Sequence, residues 1–529
     1  MVLRVTVLDG YSDEPAGLGV PPYLDVYPRY AAGAIWSVEK DALIKYYTID
    51  RARENWTAFC KDANSSNITI VLAGTIVPGK YLAATPITPE EIINVGMSLT
   101  STLSILAGPV ARFGMGRGGG SPVVGPHTLG RHYDVVVKGD IDAFLRSMLL
   151  EGLEKADPLV KRESYSDAER SLIYGARIVL QHPNYGYNLT LELETYRGCT
   201  RWFTGGCSFC VEPSYAMPVQ RDKRDIIREA ETLYELGVRA FRVGRQSDIL
   251  TYGSPKLGVE EAPQPNPEEL ELLFRGLRAA VRESTLHIDN VNPAVIARNE
   301  KAAIRALEAI VKYHTPGDVA AMGIESADER VVRMNNLNAT PEDSLKAIEI
   351  VNKVGRHVGW NGLPHLLPGV NFVLGLLGET KETFRRNIEF LETLLKRNLL
   401  VRRINIRRVL VLPGTRLYTS WNRRILSKHE KYIKHFIWIV RHKFDPEFLK
   451  RVAPKGRVLR CLFVEKTGGN ITYARQTGSY PLVAELPGKL PKPCVLDAIV
   501  VGHKGRSVKA IPTGVCKSPL ECTPIAASA

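Results

Sequence analysis

The strongest constraint on the fold is an alternation of strand-like and helix-like segments, repeated six times between residues 189 and 412. Each apolar stretch is followed by helical periodicity, for example at 222–236 and 341–354. Asn266-Pro267 supplies an N-cap and first-turn pair for another of these helices. Such a series predicts an α/β fold, an open six-stranded relative of the TIM barrel, with its functional end at the carboxyl edge of the strands. The predicted strands are Leu189–Glu194, Ala240–Gly244, Thr285–Asp289, Val319–Ile324, Asn371–Gly375 and Arg403–Leu412.

Directly after the first predicted strand, three cysteines lie close together. Seven residues separate Cys199 from Cys207, and two separate Cys207 from Cys210. Four thiolates would close a zinc site or complete a cubane, whereas three leave one iron of a 4Fe–4S cluster open to a small molecule. The alternatives are a zinc knuckle with a distant fourth ligand and three structural thiols. The first histidine after the run is His287, which disfavours zinc.

The cysteine run resembles the cluster loop of the radical SAM superfamily, although the usual first gap there is shorter. The resemblance implies that Cys199, Cys207 and Cys210 hold one 4Fe–4S cluster whose open iron binds S-adenosylmethionine (SAM). It implies an enzyme that cleaves SAM reductively to a 5′-deoxyadenosyl radical, which takes a hydrogen atom from a substrate. It also implies that Phe209 lies against the adenine, and that an electron donor such as a flavodoxin or a ferredoxin is a partner.

Polar and glycine-containing runs follow the other predicted strands, as expected at the functional edge of such a barrel. The segments at 323–326, 375–380 and 412–415 resemble, in this order, three segments of the superfamily branch that contains the methylthiotransferases. Each segment alone is weak evidence for the resemblance. The order of the three segments behind the cysteines makes their combination strong evidence. No catalytic residue is predicted. The residues expected to contact SAM are Phe209, Gly244, Arg245, Gln246, Ser247, Asp289, Asn290, Glu325 and Ser326.

The first 140 residues also alternate strands and helices. The strands expected at 2–8, 67–74, 102–108 and 134–139 indicate a Rossmann-like, doubly wound parallel sheet over residues 1–140, followed by a helical connector over 141–188. This arrangement resembles the cobalamin-binding-like domain of several radical SAM branches. The Asp-x-His-x-x-Gly run that supplies a histidine to cobalt is absent, since neither His127 nor His132 has an aspartate two residues before it. The sequence therefore argues against a tightly bound cobalamin.

The excess of positive over negative charge comes from one segment of the chain. Arg402–Arg460 holds 17 Lys and Arg and three acids, so it accounts for the whole net charge of +14. The barrel is expected over 189–420, basic helices over 421–456, a small β module over 457–515 and a tail over 516–529, of which Thr523–Ala529 is expected to be disordered. The β module loosely resembles the TRAM-type RNA-binding module of methylthiotransferases. A basic surface beside it predicts RNA or another large polyanion as substrate. The alternative is a solvated helix face or a cover for the open side of the barrel.

The remaining cysteines limit which activities the sequence predicts. Cys60 alone lies in the N-terminal domain, whereas methylthiotransferases hold a second cluster there on three cysteines. Free thiols without a framework spacing are typical of a reducing compartment, and no apolar run spans a membrane, so a cytoplasmic protein is expected. The alternative functions are a radical SAM methylase or rearrangement enzyme for a small molecule, and a nucleic-acid-binding protein with a structural cluster. An auxiliary cluster on Cys461, Cys494, Cys516 and Cys522 stays an alternative, although their spacing fits no known pattern.

Overall fold

The computed structural model describes residues 2–11, 22–74, 76, 85–162 and 164–518. The predicted tail lies outside the described residues from position 519 onward. No helix in the described part of the chain is long and apolar enough to cross a bilayer.

The first unit is the predicted parallel sheet, with helices on both faces. Its strands are β1 (Arg4–Asp9), β3 (Leu43–Thr48), β4 (Ile68–Leu72), β5 (Leu103–Ala107) and β8 (Val135–Val136). They are ordered β3-β1-β4-β5-β8, and β3 is an edge strand that the sequence pattern did not predict. The order reverses between β1 and β4, where doubly wound sheets bind their ligands. The helices are α2 (Ile49–Glu54), α3 (Trp56–Asn64), α4 (Pro89–Ser98), α5 (Pro109–Phe113) and α6 (Pro126–Gly130), and a small hairpin pairs β6 (Met115–Gly116) with β7 (Val123–Val124).

Residues 22–38 leave this unit and join the barrel, which corrects the predicted single domain over 1–140. Strand β2 (Tyr23–Leu24) pairs in parallel with the first barrel strand, β9 (Thr190–Glu194). The pairing of β2 with β9 joins segments far apart in the chain, so the local sequence pattern does not predict it. Helix α1 (Val26–Val38) then packs against connector helices α7 (Ile141–Glu151) and α8 (Ser166–Gly175).

The contact between α1 and α8 is made by backbone, through two glycines. A Cβ on Gly33 would lie 1.6 Å from the Ser171 carbonyl oxygen, and a Cβ on Gly175 would lie 1.9 Å from that of Arg29. No side chain fits at either position. The three helices thereby form a layer that shares one hydrophobic core with the first sheet and with the barrel.

The central unit contains all six predicted strands, in chain order and parallel to their neighbours. Strands β13 and β14 occupy one place, since only Asp289 separates them. The strands are β9, β12 (Ala240–Gly244), β13 (Thr285–Ile288) with β14 (Asn290–Val291), β15 (Asp318–Glu325), β16 (Leu366–Leu374) and β17 (Arg403–Arg408). The helices are α9 (Lys223–Glu235), α10 (Pro267–Val281), α11 (Pro293–Arg298), α12 (Glu300–Tyr313), α13 (Glu329–Met334), α14 (Pro341–Gly355) and α15 (Lys381–Lys396), and a hairpin pairs β10 (Tyr196–Arg197) with β11 (Val219–Gln220).

Alternate positions along the barrel strands face either the helices or the barrel interior, here called the lumen. Met322 and Phe372 belong to the core shared with the helices. The intervening Gly323, Asn371 and Asn405 are in register across β15, β16 and β17. Polar and small residues therefore line the lumen.

The C-terminal part consists of a basic helical segment and a small closed barrel. Helix α16 (Arg424–Ile439) continues through a π-helical turn, Val440–Phe444, into α17 (Asp445–Val452). The small barrel has the order β18-β19-β20-β22-β21, in which β20 and β22 are parallel and the other neighbours antiparallel. This topology is that of a five-stranded OB-type barrel. Its strands are β18 (Val458–Gly468), β19 (Ile471–Arg475), β20 (Val483–Pro487), β21 (Val495–His503) and β22 (Ser507–Pro512).

Two of the C-terminal cysteines form a disulfide, Cys494 to Cys516. This corrects the alternative of an auxiliary cluster on the C-terminal cysteines, because a disulfide sulfur is not a thiolate ligand. It also contradicts the expectation that the cysteines outside the cluster run stay free.

Candidate active site

The three cysteines of the run lie at the carboxyl edge of the barrel, in the loop that follows β9. Hairpin β10–β11 brackets this loop, and Trp202–Thr204 forms a single 3-10 turn within it. Cys199, Cys207 and Cys210 are all free and half-buried. Their position is the functional edge that the barrel prediction requires.

Burial raises the pKa of all three thiols, that of Cys207 to about 11 and that of Cys210 well above its ordinary value. Glu212 and the other two thiols contribute to the rise at Cys210, so the three sulfurs lie within electrostatic range of one another. No three His, Cys, Asp or Glu side chains of the described residues are arranged around a single ion. A cluster in which each thiolate binds a different iron needs no such arrangement around one ion.

Arg201 lies between the sulfurs. Its backbone N–H donates to Sγ of Cys199 at 3.4 Å, and its guanidinium donates to Sγ of Cys207 at 3.6 Å. The same guanidinium is held by Glu261 at 3.2 Å and by the Asn336 side chain at 3.0 Å. The position of this charge is therefore fixed, and it favours the thiolate form of the ligands.

The second half of the loop is fixed by α13 and by the segment after β17. The Ser208 N–H donates to the Asn335 carbonyl at 2.9 Å, and the Leu417 N–H donates to the Ser208 carbonyl at 2.8 Å. Phe209 packs against an apolar cluster that includes Leu376 and Val409. Its adenine contact stays a prediction.

The predicted SAM-binding run after β12 lies beside the cluster loop. The Thr195 hydroxyl donates to Oε1 of Gln246 at 3.1 Å. The Ser247 hydroxyl is hydrogen-bonded to the Tyr196 hydroxyl at 3.1 Å. Asn290, from the next strand, reaches the Gln246 carbonyl at 3.5 Å.

Arg245 connects this run to the N-terminal segment. It adopts a left-handed backbone conformation with φ of 61°. Its guanidinium lies 3.6 Å from Oδ2 of Asp25, donates to the Tyr27 hydroxyl and stacks over the Tyr27 ring. Oδ2 of Asp25 has no hydrogen-bond partner among the described residues and lies 3.3 Å from the Cβ position of Gly74, just past β4. The carboxyl edge of the first sheet and the mouth of the barrel therefore meet here.

Glu325, at the end of β15, is half-buried and adopts a left-handed backbone conformation with φ of 64°. Burial raises its pKa to about 8, and Arg407 opposes the rise. Oε2 is buried without a hydrogen-bond partner among the described residues, which is compatible with a ligand contact. The hydroxyl of the neighbouring Ser326 instead accepts the Asp328 N–H at 3.2 Å and caps the turn into α13.

Deeper in the lumen lies an ion pair that the sequence prediction missed. Arg242 donates to Oε2 of Glu192 at 2.6 Å, and the Tyr23 hydroxyl donates to the same oxygen at 2.8 Å. Burial raises the pKa of Glu192 to about 7, and Arg242 opposes the rise. A local signal existed, because Glu192 stands between Leu191 and Leu193, and a polar residue at an alternate strand position faces the lumen.

The floor of the lumen is completed by the loop between β19 and β20 of the small barrel. The Tyr480 hydroxyl donates to Oδ1 of Asp289 at 2.7 Å, and the Arg403 guanidinium stacks on the Tyr480 ring at 3.8 Å. The Ser479 N–H donates to Nδ1 of His287 at 2.9 Å. Asp289 is thus hydrogen-bonded within the protein. This contact crosses the boundary predicted between the barrel and the β module.

Comparisons with known proteins agree with this geometry. Residues 193–391 match the profile of the radical SAM superfamily. The chain is 44% identical to an uncharacterized protein of Methanocaldococcus jannaschii over 518 residues, which are 96% of this chain and 93% of that protein. The chain belongs to the radical SAM superfamily. It is therefore an enzyme of this superfamily, as predicted. The ribosomal protein uS12 methylthiotransferase RimO of Thermodesulfovibrio yellowstonii is 23% identical over 243 residues, 46% of this chain and 49% of that protein.

Solved structures share the architecture. TsrM from Kitasatospora setae, a radical S-adenosylmethionine methyltransferase with cobalamin and a 4Fe–4S cluster bound, aligns with a TM-score of 0.52 and 14% identity over 79% of this chain and 77% of TsrM. The cobalamin-dependent radical enzyme OxsB aligns with a TM-score of 0.54 and 12% identity over 82% of this chain and 56% of OxsB. At these identities the likeness shows the shared fold.

The superfamily implies a 4Fe–4S cluster and SAM, and the donor set fits both. Cys199, Cys207 and Cys210 would hold the cluster, and Arg201 would donate to its sulfur ligands. When bound, the cluster supplies the electron that cleaves SAM. The SAM contacts of Gln246, Ser247 and Glu325 stay predictions, supported by their position around the loop.

Proposed function

We propose that this radical SAM enzyme modifies RNA, which it binds along a basic track on α16. The observation that carries the proposal is a row of exposed side chains spaced four, three, four, three and four residues apart, which places them on one helix face. The basic track consists of Arg424, Lys428, Lys431, His435, Trp438 and His442.

The cations of the basic track are available to a partner. No carboxylate of the described residues pairs with Arg424, Lys428 or Lys431, whereas Glu430, beside the track, is shared by Arg408 at 2.8 Å and Lys434 at 3.6 Å. Unpaired lysines and arginines in a row suit successive phosphates of a nucleic acid. The buried face of α16 meanwhile packs on the barrel, so covering the barrel and binding RNA use opposite faces of one helix.

The basic track leads from the barrel mouth to the small barrel. At its start, the Trp421 indole donates to the carbonyl of Gly375, directly after β16, at 2.8 Å. Near its end, the Cβ position of Gly505 in the small barrel lies 3.7 Å from the Arg441 carbonyl oxygen. The eighteen residue steps from Arg424 to His442 span about 27 Å at the α-helical rise. An extended chain could therefore touch the mouth and the small barrel together.

The far end of the basic track carries an aromatic pair. The Trp438 side chain is 58% exposed, and the His442 ring stacks on it at 4.7 Å. An exposed indole beside cations is a typical stacking platform for a base. OB-type barrels bind oligonucleotides on the face of their second and third strands, where Tyr473 lies in register with Lys466 and Glu485.

The experiment is RNA binding with a charge-reversed track. Arg424→Glu/Lys428→Glu/Lys431→Glu should lose most of its affinity for tRNA transcripts and keep SAM cleavage with a chemical reductant. The matched control, Arg275→Glu/Lys301→Glu/Lys353→Glu, reverses three exposed cations on other barrel helices and should bind like the wild type. With about five phosphate contacts, wild-type affinity should fall on the order of a hundredfold between 50 and 200 mM salt. Equal binding by both variants would contradict the proposal.

A second candidate is a cobalamin-dependent methylase. It is supported by the apposition of the first sheet to the barrel mouth through Gly74, Asp25 and Arg245, and by the cobalamin in the TsrM structure. Residues 12–21, which follow β1, and most of 75–84, which follow β4, lie outside the described residues. Stoichiometric retention of hydroxocobalamin through gel filtration would favour this candidate, and its loss would favour the RNA proposal.

A further inference from the structure

A cavity of about 480 Å³ lies between the amino edge of the central barrel and the small barrel. One wall is formed by residues at or just before the first positions of β12 and β13, and the other by residues of β18 and of the turn after β19. The cysteine loop follows β9 at the opposite, carboxyl edge of the central barrel. The cavity is therefore separate from the cysteine site, and its volume is typical of a small-molecule pocket.

Aromatic rings line the cavity and are held in place from behind. The Tyr187 hydroxyl donates to two backbone carbonyls at 2.7 and 2.9 Å, and the Tyr185 hydroxyl donates to a third at 2.6 Å. The Phe463 ring packs edge-on against Tyr187, with the ring centroids 5.3 Å apart. Trp360, from the turn before β16, adds a fourth ring to the lining. Fixed rings of this kind form a binding surface for a planar aromatic group.

Three polar groups of the lining have no partner among the described residues. Arg460 is exposed and forms no ion pair with them, and the indole N–H of Trp360 has no acceptor among them. The Ser284 hydroxyl is also without a partner, although this residue is only 2% exposed. A buried hydroxyl without a hydrogen bond is costly, so its position in a cavity wall is compatible with a ligand contact.

The charges of the lining favour an anion. Arg239 is fixed by donating to the carbonyls of Tyr234 and Val238 at 2.8 Å each, and it forms no ion pair with the described residues. Glu283 is the single acid of the lining, and its carboxylate accepts the Tyr234 hydroxyl at 3.1 Å. Two guanidinium groups thus face one carboxylate. Arginine is well suited to phosphate, because its planar fork donates two parallel hydrogen bonds.

We propose that this cavity binds a nucleoside monophosphate, either free in solution or as the end of an RNA chain. The base lies among the aromatic rings, the phosphate binds to Arg460, and the Ser284 hydroxyl is available to a polar edge of the base or the ribose. Binding forms and breaks no covalent bond. The site does not depend on the RNA track of α16, because its ligand is a single nucleotide.

The test is equilibrium dialysis of the full-length protein with labelled AMP. Trp360→Ala/Arg460→Gln should bind AMP about tenfold or more weakly than the wild type, since it loses a stacking ring and a phosphate ligand. The matched control, Trp56→Ala/Lys61→Ala, removes an exposed indole and an exposed cation from α3 and should bind like the wild type. Arg460→Gln alone changes an exposed side chain, so it should weaken binding while the melting temperature stays unchanged.

Partial ligands separate the two halves of the cavity. Adenosine lacks the phosphate and ribose 5-phosphate lacks the base, so each should bind about tenfold or more weakly than AMP. Excess SAM should not displace AMP, because the cysteine site lies at the other edge of the barrel.

A competition experiment distinguishes the two sources of the nucleotide. A short 5′-phosphorylated oligoribonucleotide that displaces AMP would show that the cavity admits an RNA end. An oligoribonucleotide that leaves AMP bound would assign the cavity to a free nucleotide. The proposal is overturned if AMP does not bind, if Trp360→Ala/Arg460→Gln binds AMP as tightly as the control, or if SAM displaces AMP.

Discussion

Arg201, a residue of the long spacer, places a positive charge beside two of the cluster ligands. It is 2% exposed and makes hydrogen bonds to two of the three cysteine sulfurs. Hydrogen bonds and positive charge at the sulfurs stabilise the more negative, reduced cluster and raise its reduction potential. The long spacer between Cys199 and Cys207 thus supplies a buried cation to the site.

Replacing Arg201 should therefore lower the reduction potential. For Arg201→Met we expect a fall on the order of 50 mV, which corresponds to roughly a tenfold change in the one-electron equilibrium. An EPR-monitored redox titration measures it. Glu261→Gln is the control, because it loosens the same guanidinium without removing it from the sulfurs. A potential in Arg201→Met equal to that of the wild type would refute the role of the hydrogen bonds.

His182 should make the protein sensitive to acid. Burial lowers its pKa from 6.5 to about 3, and Nδ1 accepts the Asn184 N–H at 3.1 Å. Below about pH 6.5 the unfolded chain binds a proton that the native state does not, so this contribution to stability is complete above that pH and falls with acidification. The loss at pH 5 is about 2 kcal/mol.

Melting temperatures of the wild type and His182→Asn at two pH values test this expectation. The variant should be destabilised at about pH 7.5, because it loses the packed ring, and its deficit should shrink at pH 5. A deficit that is the same at both pH values would show that His182 does not titrate on unfolding.

Among the elements, those defined by local pattern were predicted well. Helices α9 and α14 begin and end within one residue of the predicted ranges, since Asp222 and Thr340 cap them with their side chains. The six strands of the central barrel follow from apolar periodicity. The cysteine loop was also predicted, because the spacing of its three cysteines is typical of a cluster site.

What the sequence did not show is the pairing of distant segments. Strand β2 inserts beside β9, and Tyr480 enters the lumen from the small barrel. Neither contact has a periodic signal. The polar lumen positions could have been found in part, because Arg403 and Asn405 alternate with apolar neighbours in β17. Their partners could not, because these come from segments far apart in the chain.

The packing of α1 on α8 should be intolerant of any side chain at Gly33. Gly33→Ala places a methyl group where the Ser171 carbonyl already lies, 1.6 Å away, so the helices must separate. We expect a loss of about 3 kcal/mol or more and a lower melting temperature. Gly125→Ala is the control, because nothing lies within 4 Å of its Cβ position. A Gly33→Ala protein as stable as the control would contradict the close contact.

At the scale of the whole molecule, three units converge on one site. The first sheet meets the barrel mouth through Asp25 and Arg245, the barrel provides the cluster loop, and the small barrel closes the lumen through Tyr480. On the outside, the basic track proposed for RNA begins beside the mouth.

The EPR spectrum of the anaerobically reconstituted, reduced protein, recorded with and without SAM, tests whether Cys199, Cys207 and Cys210 hold one cluster with an open iron. We expect about four irons per chain, a signal that changes when SAM is added, and no signal after Cys199→Ala/Cys207→Ala/Cys210→Ala. A signal that SAM leaves unchanged would contradict an open iron. About eight irons per chain would contradict a single cluster on these three cysteines.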